Sequence, residues 1–208
     1  MFVSFEGIDG SGKSTQLVLL REVLEQRGHT VVTIREPGAT LLSESIREIL
    51  LSTKQTITPT AELLLFSAAR TQLVEKVIQP TLERGSFILC DRYVDSTTAY
   101  QGYGRMLDLE SVRLCNRMAT KGVMPDVTFF IDVGFEQAQQ RMQFDSSVGD
   151  PDRMERSGRD FFERVRNGYL AIAIDEPHRF VVIDGLRERS EIHDDIVSSL
   201  QQRSAFSI

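Results

Sequence analysis

The chain has 208 residues, of which 41% are hydrophobic and 26% are charged, as is typical of a folded globular protein the size of one α/β domain. Its formal net charge of −6 argues against a nucleic-acid partner, because neutralising a phosphate backbone requires clustered Lys and Arg. No apolar run approaches the ~18 residues of a membrane span and nothing resembles a signal peptide, so we expect no membrane partner and a cytoplasmic location.

Short apolar or β-branched segments alternate with helical patterns along the whole chain. This alternation predicts an α/β fold of three layers, a five-stranded parallel sheet flanked by helices on both faces. No repeat or linker divides residues 1–208, so a single domain is expected, and Pro80 should kink or shorten its helix. Strands are predicted near 2–6, 30–35, 86–91, 127–133 and 179–184, and helices near 13–27, 41–51, 59–83, 109–121, 135–143, 158–175 and 188–203.

A glycine-rich segment joins the first predicted strand to the first predicted helix. It matches the phosphate-binding pattern G-x-x-x-x-G-K-[ST], in the strand–loop–helix context that this pattern requires. Its N–H groups and the helix N-terminus would face a polyphosphate, with Lys13 at the β- and γ-phosphates and Ser14 on Mg²⁺. The alternative is a glycine-rich turn with a chance lysine. The predicted ATP-binding residues are Gly7, Ile8, Asp9, Gly10, Ser11, Gly12, Lys13, Ser14 and Thr15.

Two charged residues end the third predicted strand. Asp91 and Arg92 follow an apolar run directly, at the edge of a parallel sheet where ligands bind. A carboxylate beside a phosphate loop holds Mg²⁺ in enzymes of this kind, and the planar fork of an arginine suits a phosphoryl group. Ser14 and Asp91 are therefore the predicted metal residues, although an Asp–Arg pair at a strand end is often a plain surface ion pair.

Three further features bear on ligand binding, and each of the first two has two interpretations. Glu36 follows the second strand in a Pro-Gly turn, which is either an approach to a ligand or an ordinary connection. Phe66 and Arg70 share a helix face and would either sandwich a base or form a core aromatic with a snorkelling arginine. Asp9 lies inside the phosphate loop, where a nucleotide repels it, and this suggests a second ligand close to the donor phosphate.

Four segments, at 5–15, 35–38, 65–70 and 91–102, together resemble the thymidylate kinases, within the nucleoside monophosphate kinases. Residues 125–126, 152–155 and 161–166 also fit, so the resemblance spans nearly the whole chain. It implies a P-loop NTPase fold with a mobile lid at about 142–155. It also implies transfer of the ATP γ-phosphoryl group to dTMP with Mg²⁺, giving dTDP for dTTP synthesis, by a homodimer.

The resemblance also implies individual roles for the side chains of the acceptor site. Phe66 would stack on thymine, Arg70 would bond its edge, and Thr97 would lie near N3. Tyr100 would occupy the place of a ribose 2′-hydroxyl, Arg92 would bind the acceptor phosphate, and Gln101 and Arg47 are weaker assignments. The implied dTMP-binding residues are Asp9, Glu36, Phe66, Arg70, Arg92, Thr97, Tyr100 and Gln101.

A catalytic arginine is implied in the lid, because the phosphate loop contains none. Arg153 is the predicted clamp, with Arg141, Arg156 and Arg159 as substitutes, so the implied catalytic residues are Asp9, Lys13, Arg92 and Arg153. The chain departs from the family in two places: Ala39 stands where a second glycine is usual, and residues 143–152 contain no basic residue.

Two alternatives to a thymidylate kinase remain at this stage. One is a kinase for another deoxynucleoside monophosphate, which the residues of the acceptor site would distinguish. The other is a GTP-dependent switch or sensor, but the guanine-reading pattern N-K-x-D is not present in the sequence.

Overall fold

The computed structural model describes residues 1–54, 56–144 and 152–203. Residues 145–151, which contain half of the expected lid, lie outside the described residues. The strands are β1 (Phe2–Glu6), β2 (Val31–Arg35), β3 (Phe87–Asp91), β4 (Val127–Asp132) and β5 (Phe180–Asp184). They form one parallel sheet in the order β2-β3-β1-β4-β5, which confirms the predicted five-stranded parallel sheet.

Nine α-helical segments and two π-helical segments are found in the described part of the chain. The α-helices are α1 (Lys13–Gln26), α2 (Leu41–Leu51), α3 (Pro59–Leu73), α4 (Gln79–Glu83), α5 (Val94–Thr97), α6 (Leu109–Thr120), α7 (Phe135–Phe144), α8 (Arg159–Asp175) and α9 (Arg189–Arg203). The π-helical segments are Val74–Ile78 and Thr98–Gly104. Among these described helices, none is long and apolar enough to cross a lipid bilayer.

The two faces of the sheet bury different side chains, as the pleat of a strand requires. In β1, Val3 and Phe5 pack on one face with Leu20 of α1, and Phe2 packs on the other face with Leu73 of α3. Both layers of helices are therefore held to the sheet by apolar burial, which is the main stabilising contribution in such folds. This arrangement confirms the predicted three layers.

Two helical regions differ in detail from what the sequence predicts. The helix predicted near 59–83 spans that range as α3, a π-helical turn at 74–78 and α4, and this irregular turn directly precedes the part that contains Pro80, which has no N–H to donate. The helical run 94–104 was not predicted, since its Thr, Ser and Gly residues are weak helix formers. Packing stabilises it instead: a Cβ on Gly104 would lie 2.7 Å from the Phe161 ring of α8, so only glycine permits this approach.

Candidate active site

The phosphate loop turns from the end of β1 into the N-terminus of α1. Its three glycines have φ angles of 141° at Gly7, 80° at Gly10 and 101° at Gly12, values that side chains rarely adopt. At Gly10 the space is also closed, because a Cβ would collide with the carbonyl oxygen of Ala138 in α7. The loop therefore presents backbone rather than side chains, next to the positive end of a helix, and this suits an anion.

Lys13 lies across this loop. Its Nζ donates a hydrogen bond to the Ile8 carbonyl at 3.0 Å and is 3.6 Å from Asp9 Oδ1. Burial and the nearby Arg92 cation lower the pKa of Lys13, whereas the Asp9 carboxylate opposes that shift. The ammonium group is thus largely desolvated and surrounded by groups that a phosphate can replace.

Ser14 and Asp91 lie side by side at the edge of the loop. Pairing of β1 with β3 sets Phe5 opposite Asp91, so that the carboxyl ends of both strands are adjacent. The Ser14 hydroxyl donates to Asp91 Oδ2 at 2.7 Å. These are hard oxygen ligands of the kind that Mg²⁺ takes. Within the described ranges, no group of three or more His, Cys, Asp or Glu could hold a metal, so phosphates and water would have to supply its other ligands.

The cleft above the loop, here called the phosphate cleft, has a volume of about 590 Å³. Besides the loop it is lined by residues that sequence reasoning did not assign, among them Arg187 and Arg189. Arg141 of α7 lies there too, and its guanidinium donates to the carbonyls of Ser11 at 3.3 Å and Gly185 at 2.7 Å. Three arginine side chains besides Lys13 therefore line this cleft, and their positive charge would attract a polyphosphate.

A salt bridge between Asp9 and Arg92 stands at the edge of the phosphate cleft. Arg92 Nη2 donates to Asp9 Oδ1 at 2.8 Å, and the guanidinium lies 5.1 Å from the centre of the Tyr100 ring. Arg92 has φ 68°, an uncommon conformation for a non-glycine residue, and its N–H donates to the Phe5 carbonyl. Burial raises the pKa of Asp9, but the charges of Arg92 and Lys13 outweigh it and hold that pKa well below its usual range.

A second cleft, here called the side cleft, opens from this salt bridge and has a volume of about 170 Å³. Three buried polar atoms on its walls have no hydrogen-bond partner within the described structure: Glu36 Oε1, Thr97 Oγ1 and the Tyr100 hydroxyl. Buried polar groups are nearly always paired in folded proteins. Three orphaned groups around one cleft therefore indicate a polar ligand.

Arg70 and Glu36 form a buried ion pair beneath the side cleft. Arg70 Nε donates to Glu36 Oε2 at 2.7 Å, and the guanidinium also bonds Asn116 Oδ1 and the Tyr93 carbonyl. Arg70 is 2% exposed and Glu36 5% exposed. Burial raises the pKa of Glu36 and the Arg70 charge opposes that shift. The other carboxylate oxygen, Glu36 Oε1, has no partner within the described structure and is available to a ligand in the side cleft.

Phe66 lies on the same helix as Arg70 and forms part of the wall of the side cleft. Its ring is only half-buried, packed against Ile46, Leu50 and Ala69 with one side toward the cleft. Arg47 of α2 also lines the cleft and donates to the Pro37 carbonyl at 3.1 Å. An aromatic face and two cations, Arg47 and Arg92, therefore surround the same space, which fits a flat ring carrying an anionic group.

Ala39 closes the turn that carries Glu36. It has φ 64°, and its N–H donates to Glu44 Oε1 at 2.8 Å. This left-handed conformation explains why glycine is the usual residue there in the family that the sequence resembles.

The predicted lid arginines are placed apart from one another. Arg153 does not line either cleft: its Nη1 lies 2.6 Å from Glu62 Oε2, and its Nε donates to the Leu50 carbonyl. Arg159 pairs with Glu136 and Glu163 on the surface. Arg141 is the one of these arginines that the structure brings to the phosphate loop.

Gln101 and Tyr100 lie on the π-helical segment at the inner end of the side cleft. Gln101 is 1% exposed and donates from Nε2 to Glu62 Oε1 at 2.8 Å. The Tyr100 ring packs edge-on against Phe161, Phe162 and Tyr169 with centroids 6.0–6.4 Å apart. Aromatic packing and the hydrogen bond to Glu62 therefore hold these two side chains at the inner end of the cleft.

Two acidic residues at the site were missed by sequence reasoning. Glu155 lines both clefts together with Asp9, and burial followed by the Asp152 charge raises its pKa. Glu6 lies buried at the end of β1 and accepts hydrogen bonds from the Tyr93 N–H and the Ser96 hydroxyl. Burial and the neighbouring Asp95 raise the pKa of Glu6 to about 7. The only sequence signal was their position, Glu6 beside the phosphate loop and Glu155 within the matched 152–155 segment.

The two clefts adjoin at the Asp9–Arg92 salt bridge: Asp9 lines both of them, and Arg92 lines the side cleft. The loop offers backbone N–H groups to a phosphate, and the Arg92 guanidinium offers a second place for an anionic group. Among P-loop proteins, a donor cleft and an acceptor cleft that share an edge in this way define a nucleoside monophosphate kinase, a phosphotransferase.

Comparison with known proteins specifies the family. The family model for thymidylate kinase matches residues 5–196. A thymidylate kinase of Chlorobaculum tepidum is 50% identical over 206 residues, covering 96% of each chain, and one of Thermoanaerobacter is 44% identical over 201 residues, covering 97% of each. A crystal structure of a thymidylate kinase from Ehrlichia chaffeensis superposes with a TM-score of 0.77 at 39% identity, covering 97% of this chain and 98% of that one. The chain belongs to the thymidylate kinase family.

Proposed function

We propose that the chain transfers the γ-phosphoryl group of ATP to dTMP, giving ADP and dTDP. This proposal rests on one observation: the phosphate cleft and the side cleft adjoin at the Asp9–Arg92 salt bridge. A phosphate oxygen of dTMP forms the new bond to the γ-phosphorus, and the bond to the β,γ-bridging oxygen breaks. The acceptor is already an anion at neutral pH, so positioning and charge neutralisation account for most of the catalysis.

The donor binds along residues Gly7 to Thr15 in this proposal. Loop N–H groups hold the β-phosphate, and Lys13 exchanges its contact with the Ile8 carbonyl for phosphate oxygens. Mg²⁺ would be held by Ser14 and, directly or through water, by Asp91, whose oxygens already lie 2.7 Å apart. When bound there, the ion would supply charge neutralisation at the phosphates.

The acceptor binds in the side cleft. Phe66 stacks on the thymine, while Arg70 and the orphaned Thr97 hydroxyl bond its edge. Tyr100 blocks the space of a 2′-hydroxyl, since its hydroxyl is buried and its ring is fixed by neighbouring aromatic rings. Arg92 binds the acceptor phosphate.

Asp9 completes the acceptor site from the side of the phosphate loop. Ionised beside Arg92, it orients that guanidinium or accepts a hydrogen bond from the sugar. Glu36 and Gln101 border the base in the same cleft.

The arginine that stabilises the transition state is either Arg153 or Arg141. Arg153 must leave Glu62 to reach the phosphates, whereas Arg141 already contacts the carbonyl of Ser11. Replacing each by Ala tests the two: the one that acts loses turnover by about a hundredfold or more, by analogy with arginine fingers.

A substrate panel tests the proposed function. Purified protein with ATP and Mg²⁺ is given dTMP, dUMP, dCMP, dGMP and UMP in a coupled assay for ADP. We expect dTMP to be turned over far faster than dCMP, dGMP and UMP. In this proposal Arg70 and Thr97 bind the edge of thymine, and Tyr100 excludes a 2′-hydroxyl. Equal rates across the panel would overturn the assignment.

We also propose that residues 1–208 fold as one domain and associate as a homodimer. Support for association comes from apolar side chains exposed on α3 and α6: Leu64 is 54% exposed, Leu114 51% and Met118 70%. Sedimentation velocity should give a dimer mass that falls to the monomer mass in Leu64→Glu. A monomeric wild-type chain would contradict the proposal.

A further inference from the structure

Glu62 of α3 is a fully buried carboxylate that no role assigned above uses. Its side chain is 0% exposed and accepts contacts from three residues. Gln101 Nε2 lies 2.8 Å from Oε1, Arg105 Nε and Nη2 lie 3.2 and 3.3 Å from the two oxygens, and Arg153 Nη1 lies 2.6 Å from Oε2. A carboxylate with this many partners fixes the geometry of each of them.

The three partners belong to different parts of the site. Gln101 lines the side cleft. Arg105 follows the π-helical segment and lies 4.5 Å over the Phe161 ring of α8. Arg153 belongs to the last part of the expected lid, which is described from residue 152 onward. Glu62 therefore ties α3, the side cleft and the base of the lid into one cluster.

The chemistry of the carboxylate decides which way the Gln101 amide is turned. An ionised carboxylate only accepts hydrogen bonds, so Gln101 must present its NH₂ group to Glu62. Its carbonyl oxygen is then the group left for a ligand in the side cleft. A carbonyl oxygen there can accept a hydrogen bond from the N3–H group of thymine. The N3 atom of cytosine carries a lone pair instead of a proton, so the same carbonyl oxygen repels it.

We propose that Glu62 is a positioning residue for base selection: it holds the Gln101 carbonyl toward the base and thereby favours a pyrimidine with a donor at N3. This inference rests on the proposed function, since it concerns the acceptor of that reaction. Glu62 touches no substrate and acts through Gln101, in the same cluster that holds Arg153.

Glu62→Gln is the variant that separates orientation from packing, because it keeps the shape of the side chain. Arg105 and Arg153 compete for its single oxygen, so that its NH₂ group faces Gln101. Gln101 must then turn its carbonyl toward residue 62 and its NH₂ group toward the side cleft. We expect the ratio of kcat/KM for dTMP to that for dCMP to fall about tenfold or more. The change lies mainly in the KM for dTMP, and the KM for ATP stays within about twofold.

Two further variants make the test decisive. Gln101→Leu removes the amide, so it should lower the same ratio, and Glu62→Gln should add little to it in the double variant. Asp95→Asn is the matched control: Asp95 is a buried carboxylate paired with Arg179 at 2.7 Å and lies outside both clefts. It should lower the thermal midpoint without changing the base ratio.

The outcomes separate this inference from the proposed function. If the wild-type chain does not prefer dTMP, the proposed function itself fails. If the wild type prefers dTMP and Glu62→Gln keeps that ratio while only losing stability, Glu62 is purely structural and the inference is overturned. Should Glu62→Gln not fold, an unchanged ratio in Gln101→Leu overturns it instead.

Discussion

Replacing Arg70 by Met isolates the energetic effect of the buried ion pair under the side cleft. Met keeps much of the side-chain volume but leaves the Glu36 carboxylate without its partner, and it also removes the donors to Asn116 and the Tyr93 carbonyl. Breaking a buried pair by removing one partner costs about 3–5 kcal/mol. For a domain of this size that corresponds to a fall of about 6–20 °C in the thermal midpoint.

The pH dependence of the stability of Arg70→Met provides a second, independent test of the same ion pair. Burial already raises the pKa of Glu36 in the wild type, and loss of the Arg70 charge removes the main opposing effect. Above the pKa that Glu36 has in the unfolded chain, the folded variant binds a proton that the unfolded chain does not, so stability rises as pH falls. The deficit of Arg70→Met should therefore be larger at pH 8 than at pH 5.5.

Thermal unfolding followed by circular dichroism at both pH values measures these effects. Glu36→Gln combined with Arg70→Met removes the orphaned charge, so it should recover much of the lost stability and lose the pH dependence. Arg35→Met is the matched control, because the Arg35–Glu44 pair is 57% and 41% exposed and such pairs contribute ~0–1 kcal/mol. A loss in Arg70→Met no greater than in Arg35→Met would refute the reasoning.

Three other substitutions test the phosphate loop and the side cleft. Lys13→Ala should lower kcat at least ~100-fold in the coupled assay, because a desolvated cation next to the phosphates is lost. Gly10→Ala should weaken ATP binding in calorimetry and lower the thermal midpoint, since its Cβ meets the Ala138 carbonyl. Tyr100→Phe should raise KM for dTMP, because it removes a buried hydroxyl from the wall of the side cleft.

Each of these has an outcome that contradicts it. Gly85→Ala is the control for Gly10→Ala: it has a similar φ of 74° but open space around the added Cβ, so it should be the milder change. Equal effects would mean that strain at φ, and not the contact with α7, dominates. Turnover that persists in Lys13→Ala, or an unchanged KM for dTMP in Tyr100→Phe, would contradict the assignments of those residues.

The sheet and the phosphate loop could be read from the sequence because local patterns determine them. Short apolar runs specified all five strands within a residue or two, and the spacing of Gly7, Gly12 and Lys13 specified a loop whose backbone the structure shows. The run 94–104 was not foreseen, because its helical form depends on packing against α8 and local propensity opposes it.

Long-range pairing explains what the sequence left unresolved at the site. Arg153 lies away from the phosphate loop because it forms an ion pair with Glu62. These two residues are far apart in the chain, so no local sequence pattern predicts their contact. The place of Glu155 on both clefts depends likewise on how the 152–157 segment folds back over the site.

The position of β1 in the middle of the sheet has a consequence for synthesis of the protein. The phosphate motif leaves the ribosome before either partner of its strand, which pairs with β3 on one side and β4 on the other. At roughly 5–20 residues per second, the last of these partners emerges roughly 6–23 s after the motif. A nascent chain therefore carries the nucleotide-binding signature well before it can bind a nucleotide, and truncation before Asp132 should yield no partially active product.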